Sequence, residues 1–199
     1  MNPSKSAFVR RGDPPVGLAP SVVLCDPRFG HNVGMVVRLA SCYGLKQVWY
    51  TGDRVSLDLE KRRRLPREER MKGYRSVEMV NYDRPLELFS SEAVPVAVEV
   101  RKSSERLQDF EHPKNAVYVF GPEDGSIPGG VLRLCHRFVV IPTRGHNCLN
   151  LATACATVLW DRAVKLGEVP EESEEDEKES FADTDAGAIG VRGTEGSWP

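Results

Sequence analysis

Three short stretches of this 199-residue chain combine glycines, carboxylates, amides and a cation in patterns that could do chemistry. In "DPRFGHNVGMVVRLASCYG" (26–44), Asn32 is placed to cap a helix, and Arg38 follows six residues later among Val36, Val37, Leu39 and Ala40. A guanidinium enclosed by such neighbours needs a partner, because an unpaired buried charge is costly. That partner is either an ion pair within the fold or a phosphate or ribose at the mouth of a site. In "VYVFGPEDGSIPGG" (117–130), an apolar run meets Gly121, Pro122, Glu123, Asp124 and Gly125. Glycines let a ligand approach the backbone, and the proline stiffens the turn. This is not a phosphate loop: GxGxxG and GxxxxGK[ST] are absent, and two carboxylates would repel a pyrophosphate. It suits a ligand with a positive centre or donor groups, or it is an ordinary strand-to-helix turn. In "IPTRGHNCLNLATACATVLWDR" (141–162), Gly145, His146, Asn147, Cys148 and Asn150 separate two apolar elements. Backbone groups left unpaired there could bind the edges of a flat heterocycle, and Asn150 could cap the next helix while facing the site. No His/Asp arrangement supports Cys148 as a nucleophile, and the histidines and cysteines lack zinc-ligand spacing.

The elements that must position these loops follow from hydrophobic pattern. Strands are expected at 21–25, 47–52, 76–82, 94–100, 115–121 and 137–143, mostly apolar on both faces, as buried parallel strands are. Helices are expected at about 32–43, 57–71, 84–91, 104–110, 128–136 and 150–166. Their alternation indicates an α/β fold: a parallel sheet covered by helices on both faces. In such sheets ligands bind beyond the carboxyl ends of the strands, where all three loops fall.

Composition narrows the partners. Of 29 acidic and 27 basic residues, 11 acidic and two basic lie from Glu168 onward, leaving 18 and 25 in the body. A basic body calls for a polyanion. The acidic end, 168–199, reads as a disordered tail that aids solubility or competes with nucleic acid for the basic face. Residues 1–18 read as a flexible arm and 19–167 as the single domain. The stretch "EKRRRLPREERMKGYR" (60–75) is either a solvated helix face or a contact for RNA phosphates. Trp49, Tyr50 and Tyr74 could stack on bases, although core packing is the expected use of Trp49. The N-terminus has no apolar signal region and no run is long enough to span a membrane, so a cytoplasmic protein is expected. Cysteines 25, 42, 135 and 155 read as small buried hydrophobes.

Taken together, the three stretches resemble the motifs of the SPOUT RNA methyltransferases, SpoU/TrmH branch. "HNVGMVVRLASCYG" is similar to the family's N-x-G…R motif, "VFGPEDGSIP" to F-G-P-E-x-x-G-[LI], and "VVIPTRGHNCLNLATACATVLWD" to I-P…S-L-N-[VL]-x-x-A, together covering about residues 20–166. The resemblance is nearest the short single-domain members that methylate tRNA ribose near the wobble position, and no appended RNA-binding domain is expected. It implies a C-terminal deep trefoil knot (the SPOUT α/β knot), S-adenosyl-L-methionine as cofactor, and a homodimer. The implied activity is 2'-O-ribose methylation of RNA, tRNA before rRNA, with neither DNA nor a membrane as partner. A knotted RNA-binding protein without catalysis is the alternative. The resemblance places Val98, Gly121, Ile141, Cys148 and Leu149 around the cofactor, and Asn32, Arg38, Glu123 and Asn150 at the catalytic or RNA-facing positions. No metal is implied. Because a guanidinium is ordinarily too basic to accept the proton, Arg38 is expected to stabilise developing alkoxide charge. Two departures stand out: Cys148 occupies the usual serine position, and Gly30-His31 stand where prolines commonly precede the asparagine. A thiol is a poorer donor than a hydroxyl, so weaker cofactor binding is expected.

Overall fold

The computed structural model describes residues 14–55, 77–145 and 148–169. Seven parallel strands form one sheet: β1 (Ser21–Leu24), β2 (Gln47–Tyr50), β3 (Glu78–Asn81), β4 (Val94–Val98), β5 (Glu105–Arg106), β6 (Ala116–Phe120) and β7 (Arg137–Val140). Their spatial order is β3-β2-β1-β6-β4-β7-β5. The helices are α1 (Gly30–Cys42), α2 (Gly129–Leu132) and α3 (Leu151–Lys165).

Strand alternation divides the core between the two faces. Val22, Leu24, Val48, Val96 and Tyr118 lie with Val33, Val36 and Val37 of α1 and Cys155, Val158 and Leu159 of α3. Val23, Cys25, Trp49, Ala97, Val117 and Val119 face the other way, against Leu86, Leu88, Val131 and Leu132. Because both faces are covered, the strands read as unbroken apolar runs; each fully buried Val or Leu contributes about 1.5–3 kcal/mol. Trp49 is fully buried and donates through its indole N–H to Gln47, so it belongs to the core.

All six expected strands are present, and β5 is additional. The stretch expected as a helix at 104–110 instead pairs Glu105 and Arg106 with Val139 and Val140, then makes a single 3₁₀ turn at Leu107–Asp109. Its buried anchors, Leu107 and Phe110, are three residues apart, a spacing that helix and turn share. The helix expected at 84–91 is likewise one 3₁₀ turn, Pro85–Leu88, and α2 is shorter than the expected 128–136. The expected helix at 57–71, the basic stretch 60–75, most of the arm and most of the acidic tail lie outside the described residues.

A buried polar cluster ties α3 to the sheet and to the segment after β5. His112, fully enclosed, sits 2.7 Å from the Tyr118 hydroxyl and 2.8 Å from the Asp161 carboxylate. A carboxylate can only accept, so Nε2 carries the proton and Nδ1 accepts from the tyrosine. Lys165 pairs with Asp161 at 2.8 Å and donates to the Leu107 and Phe110 carbonyls.

Candidate active site

Three loops meet beyond the carboxyl ends of β1 and β6, and a chain of side-chain hydrogen bonds joins them. Glu123, after β6, accepts from the Arg28 backbone N–H at 2.7 Å and from Asn32 Nδ2 at 2.6 Å. Asn32 Oδ1 accepts from Asn150 Nδ2 at 3.0 Å. Asn150 Oδ1 in turn accepts from the N–H groups of Ala152 and Thr153, capping α3. The order of donors and acceptors is determined link by link. An ionised carboxylate only accepts, so the Asn32 amide must turn its NH₂ toward Glu123 and its oxygen toward Asn150. Asn150 must then give its NH₂ to Asn32, which leaves its oxygen for the helix N-terminus. Of the roles expected for Asn150, the geometry shows the helix cap, and beside it a hydrogen bond to Asn32.

Asn32 does not cap α1 as expected. The helix starts at Gly30 after Phe29, with no side-chain cap, and Asn32 lies inside its first turn, 1% exposed. There its amide is committed to Glu123 and Asn150, groups that only the folded chain supplies. Burial alone would raise the Glu123 pKa, but the Arg28 N–H and the Asn32 amide outweigh it and hold the carboxyl below its ordinary value. With both oxygens occupied, Glu123 is a poor base and a good anchor.

Arg38 also departs from expectation. Val36 and Val37 are buried, whereas Arg38 is exposed on α1, so no enclosed guanidinium has to be satisfied.

A second tier of charge, not anticipated from sequence, braces the same loops. Arg54 after β2 donates to both Asp124 oxygens, at 3.0 and 2.9 Å, and its Nε lies 2.8 Å from Asp26 Oδ2. The Asp124 hydrogen bond, followed by the nearby carboxylates, raises the Arg54 pKa; the same bond, together with the Arg54 and Arg28 charges, lowers that of Asp124. Asp26 adopts a left-handed φ of 42°, and Gly52 packs against it so closely that an added Cβ would lie 2.1 Å from Asp26 Oδ1. The sequence signal was "TGDR" directly after a strand, a glycine turn followed by charges.

Of the residues expected around the cofactor, Val98, Gly121 and Ile141 lie at neighbouring strand ends, and Cys148 and Leu149 directly precede the α3 cap. Val98 closes β4, in register with Phe120 of β6 and Val139 of β7; Gly121 follows Phe120, and Ile141 follows β7. Val98, Gly121 and Ile141 are half-buried, while Cys148 and Leu149 are exposed; His146 and Asn147 are outside the described residues. At Gly121 an added Cβ would stand 2.9 Å from the Ile127 backbone nitrogen, so the loop closes tightly over the strand end. Glu99, which sequence reasoning missed, holds that loop by accepting from the Ile127 N–H at 3.0 Å. Among the cysteines, Cys25, Cys135 and Cys155 are buried and their thiols pushed up by desolvation, but Cys42 is exposed, contrary to expectation. Among the described residues no group of His, Cys, Asp or Glu has the arrangement of a metal site, and no helix is long and apolar enough to cross a membrane.

Solved structures share this architecture. A TrmH/SpoU tRNA modifying enzyme from A. aeolicus superposes with TM-score 0.61 at 20% identity, covering 81% of this chain and 85% of that one. A structure described as giving insights into the 2-OH methylation of C/U34 on tRNA gives 0.62 at 24% identity, covering 74% and 90%. The SpoU methyltransferase AviRb from Streptomyces viridochromogenes, in complex with AdoMet, gives 0.62 at 19% identity, covering 78% of this chain and 61% of that one. Comparison with curated proteins finds no similar sequence. The model of the SpoU rRNA Methylase family matches residues 19–160, which include all three loops, and the chain belongs to this SpoU/TrmH family of RNA methyltransferases.

Proposed function

We propose that this protein is an S-adenosyl-L-methionine-dependent RNA 2'-O-ribose methyltransferase that acts on tRNA as a homodimer. The observation that carries the reading is the Glu123–Asn32–Asn150 chain, which holds three separate loops in one rigid polar edge beside the Val98, Gly121 and Ile141 strand ends. The cofactor, when bound, supplies an electrophilic methyl group. Val98, Gly121, Ile141, Cys148 and Leu149 would hold it.

The chain's own residues account for the remaining requirements. A ribose 2'-hydroxyl is a weak acid that must be oriented and lose its proton as the new bond forms. Asn32 and Asn150 are orienting groups, preset by Glu123 and therefore costing no reorganisation during reaction. Arg38, exposed on α1, stabilises the charge that develops on the ribose oxygen. The knot of this reading is supported by strand order: β7 inserts between β4 and β5, which are consecutive in sequence. The segment leaving β7 must therefore pass the 99–104 connection. A homodimer is supported by apolar side chains left open on the paired helices α1 and α3: Met35, Trp160 and Val164, each about half exposed. The tRNA preference rests on the two tRNA-related neighbours, whose lengths this chain largely spans.

The test is to incubate purified protein with labelled S-adenosylmethionine and, separately, unmodified tRNA and rRNA, then to digest to nucleosides and identify products by mass spectrometry. A 2'-O-methylnucleoside from tRNA supports the whole reading. A base-methylated product, or transfer to rRNA alone, overturns the corresponding part.

A further inference from the structure

Three exposed residues immediately before the catalytic asparagine form a stack that the methyl-transfer chemistry does not use. The rings of Phe29 and His31 lie 5.6 Å apart at an interplanar angle of 29°, and the Arg28 guanidinium sits 5.2 Å from the Phe29 centroid. Phe29 is 42% exposed although the core beneath is apolar, and Arg28 and His31 are also exposed. The stack is pinned to the site through the chain itself: Arg28 gives its backbone N–H to Glu123, and Asn32, one residue beyond His31, gives its amide to the same carboxylate.

From this arrangement we propose that Phe29 and His31 form a nucleobase platform, on which an unpaired base of the RNA strand stacks beside the reacting ribose. The inference rests on the RNA methyltransferase reading and adds how that site grips its substrate. A flat π-face adds a further layer to such a stack, and stacking on aromatic rings is how single-stranded RNA is commonly held. The surroundings match a nucleotide and not a second apolar surface. Arg28 and Arg54 supply positive charge beside the loop, held there by ion pairs with Asp124 at 3.6 and 2.9 Å and, for Arg54, with Asp26 at 2.8 Å. A strand whose base settles on the rings has its phosphates among these cations. Gly30, between the two rings, is the first residue of α1; prolines at 30 and 31 would remove the imidazole.

The test uses the full chain and two probes: an unmodified tRNA pool for affinity, and a single-stranded RNA oligonucleotide carrying 2-aminopurine, whose fluorescence is quenched on stacking. Phe29→Ala and, independently, the exposed-site change His31→Ala are compared with Phe29→Trp, with melting temperature and S-adenosylmethionine affinity measured for each. Losing one base–aromatic stack should weaken RNA binding by at least about five-fold. It should abolish quenching, leave cofactor affinity unchanged and preserve the slope of log affinity against log salt, since no phosphate contact is removed. Phe29→Trp should restore binding. Wild-type affinity and quenching in both alanine variants would overturn the platform while leaving the RNA methyltransferase reading intact. A loss that appears only as a shallower salt slope also overturns it, assigning the contact to phosphates. If the wild-type protein binds cofactor but neither RNA probe, the underlying reading fails and the platform with it.

Discussion

Asn150 serves two masters, and substituting it two ways separates them. Asn150→Ala removes both the cap of α3, with its bonds from the Ala152 and Thr153 N–H groups, and the donor to Asn32. Asn150→Asp keeps an oxygen to cap the helix but puts an acceptor against Asn32 Oδ1. Asn32 cannot escape by flipping, because its oxygen would then confront the Glu123 carboxylate. Loss of the cap costs about 0.5–2 kcal/mol. For a chain of this size that is about 1–8 °C in melting temperature, so the Asp variant should melt above the Ala variant by that margin. Both leave the buried Asn32 oxygen without its donor, at about 1–3 kcal/mol. The rate effect comes separately, from losing the proposed orienting hydrogen bond in the transition state: at about 1 kcal/mol or more it slows transfer at least about five-fold in both variants. Thermal melts followed by circular dichroism give the first quantity, and initial rates with labelled S-adenosylmethionine give the second. Wild-type transfer by Asn150→Asp would refute the reasoning, because the Asn32 link would then be dispensable. Identical melting of the two variants would refute the cap.

Other outcomes can be checked alongside. Gly121→Ala forces its Cβ against the Ile127 backbone; overpacking of this kind costs about 1–3 kcal/mol, so calorimetry should show cofactor affinity falling by at least about five-fold. Burial lowers the His112 pKa more than Asp161 raises it. A neutral folded His gives stability that is full above the unfolded value of about 6.5 and declines as pH falls below it, so melting temperature should drop through that window and the slope should flatten in His112→Asn. Glu123, with its pKa held down, gives stability present above the ordinary carboxylate range and lost as pH falls through its folded pKa; the acid-side loss that survives in His112→Asn should shrink further in Glu123→Gln. Trp160→Glu places a charge on the exposed α3 face; sedimentation should show a dimer becoming a monomer while the melting temperature changes by only a few degrees.

Much was legible without coordinates, for a physical reason. Val22, Val48, Val96, Val117 and Val139 belong to strands buried on both faces, and such strands announce themselves as short apolar runs whatever their neighbours. The loops were legible because Gly121, Pro122 and Pro142 break those runs wherever the chain folds. The resemblance of the three motifs then supplied the family. What failed was what depended on partners. Arg38 read as buried because its sequence neighbours are apolar, but a helix turns by about 100° per residue and sends position 38 outward while 36 and 37 face the core. Residues 105–110 read as helix because a strand of two residues has no period to detect; only β7 arriving alongside makes β5 a strand.

The sequence by itself determined that this is a parallel α/β sheet with three loop clusters beyond the carboxyl ends of its strands, since hydrophobic pattern and turn chemistry are local properties. Tertiary structure alone decided that the clusters are joined to one another. Asn32 meets Glu123 across 91 residues and Asn150 across 118. Hydrogen bonds of that range leave no trace in local spacing, because each partner is chosen by where the sheet order delivers it and not by what stands beside it in the chain.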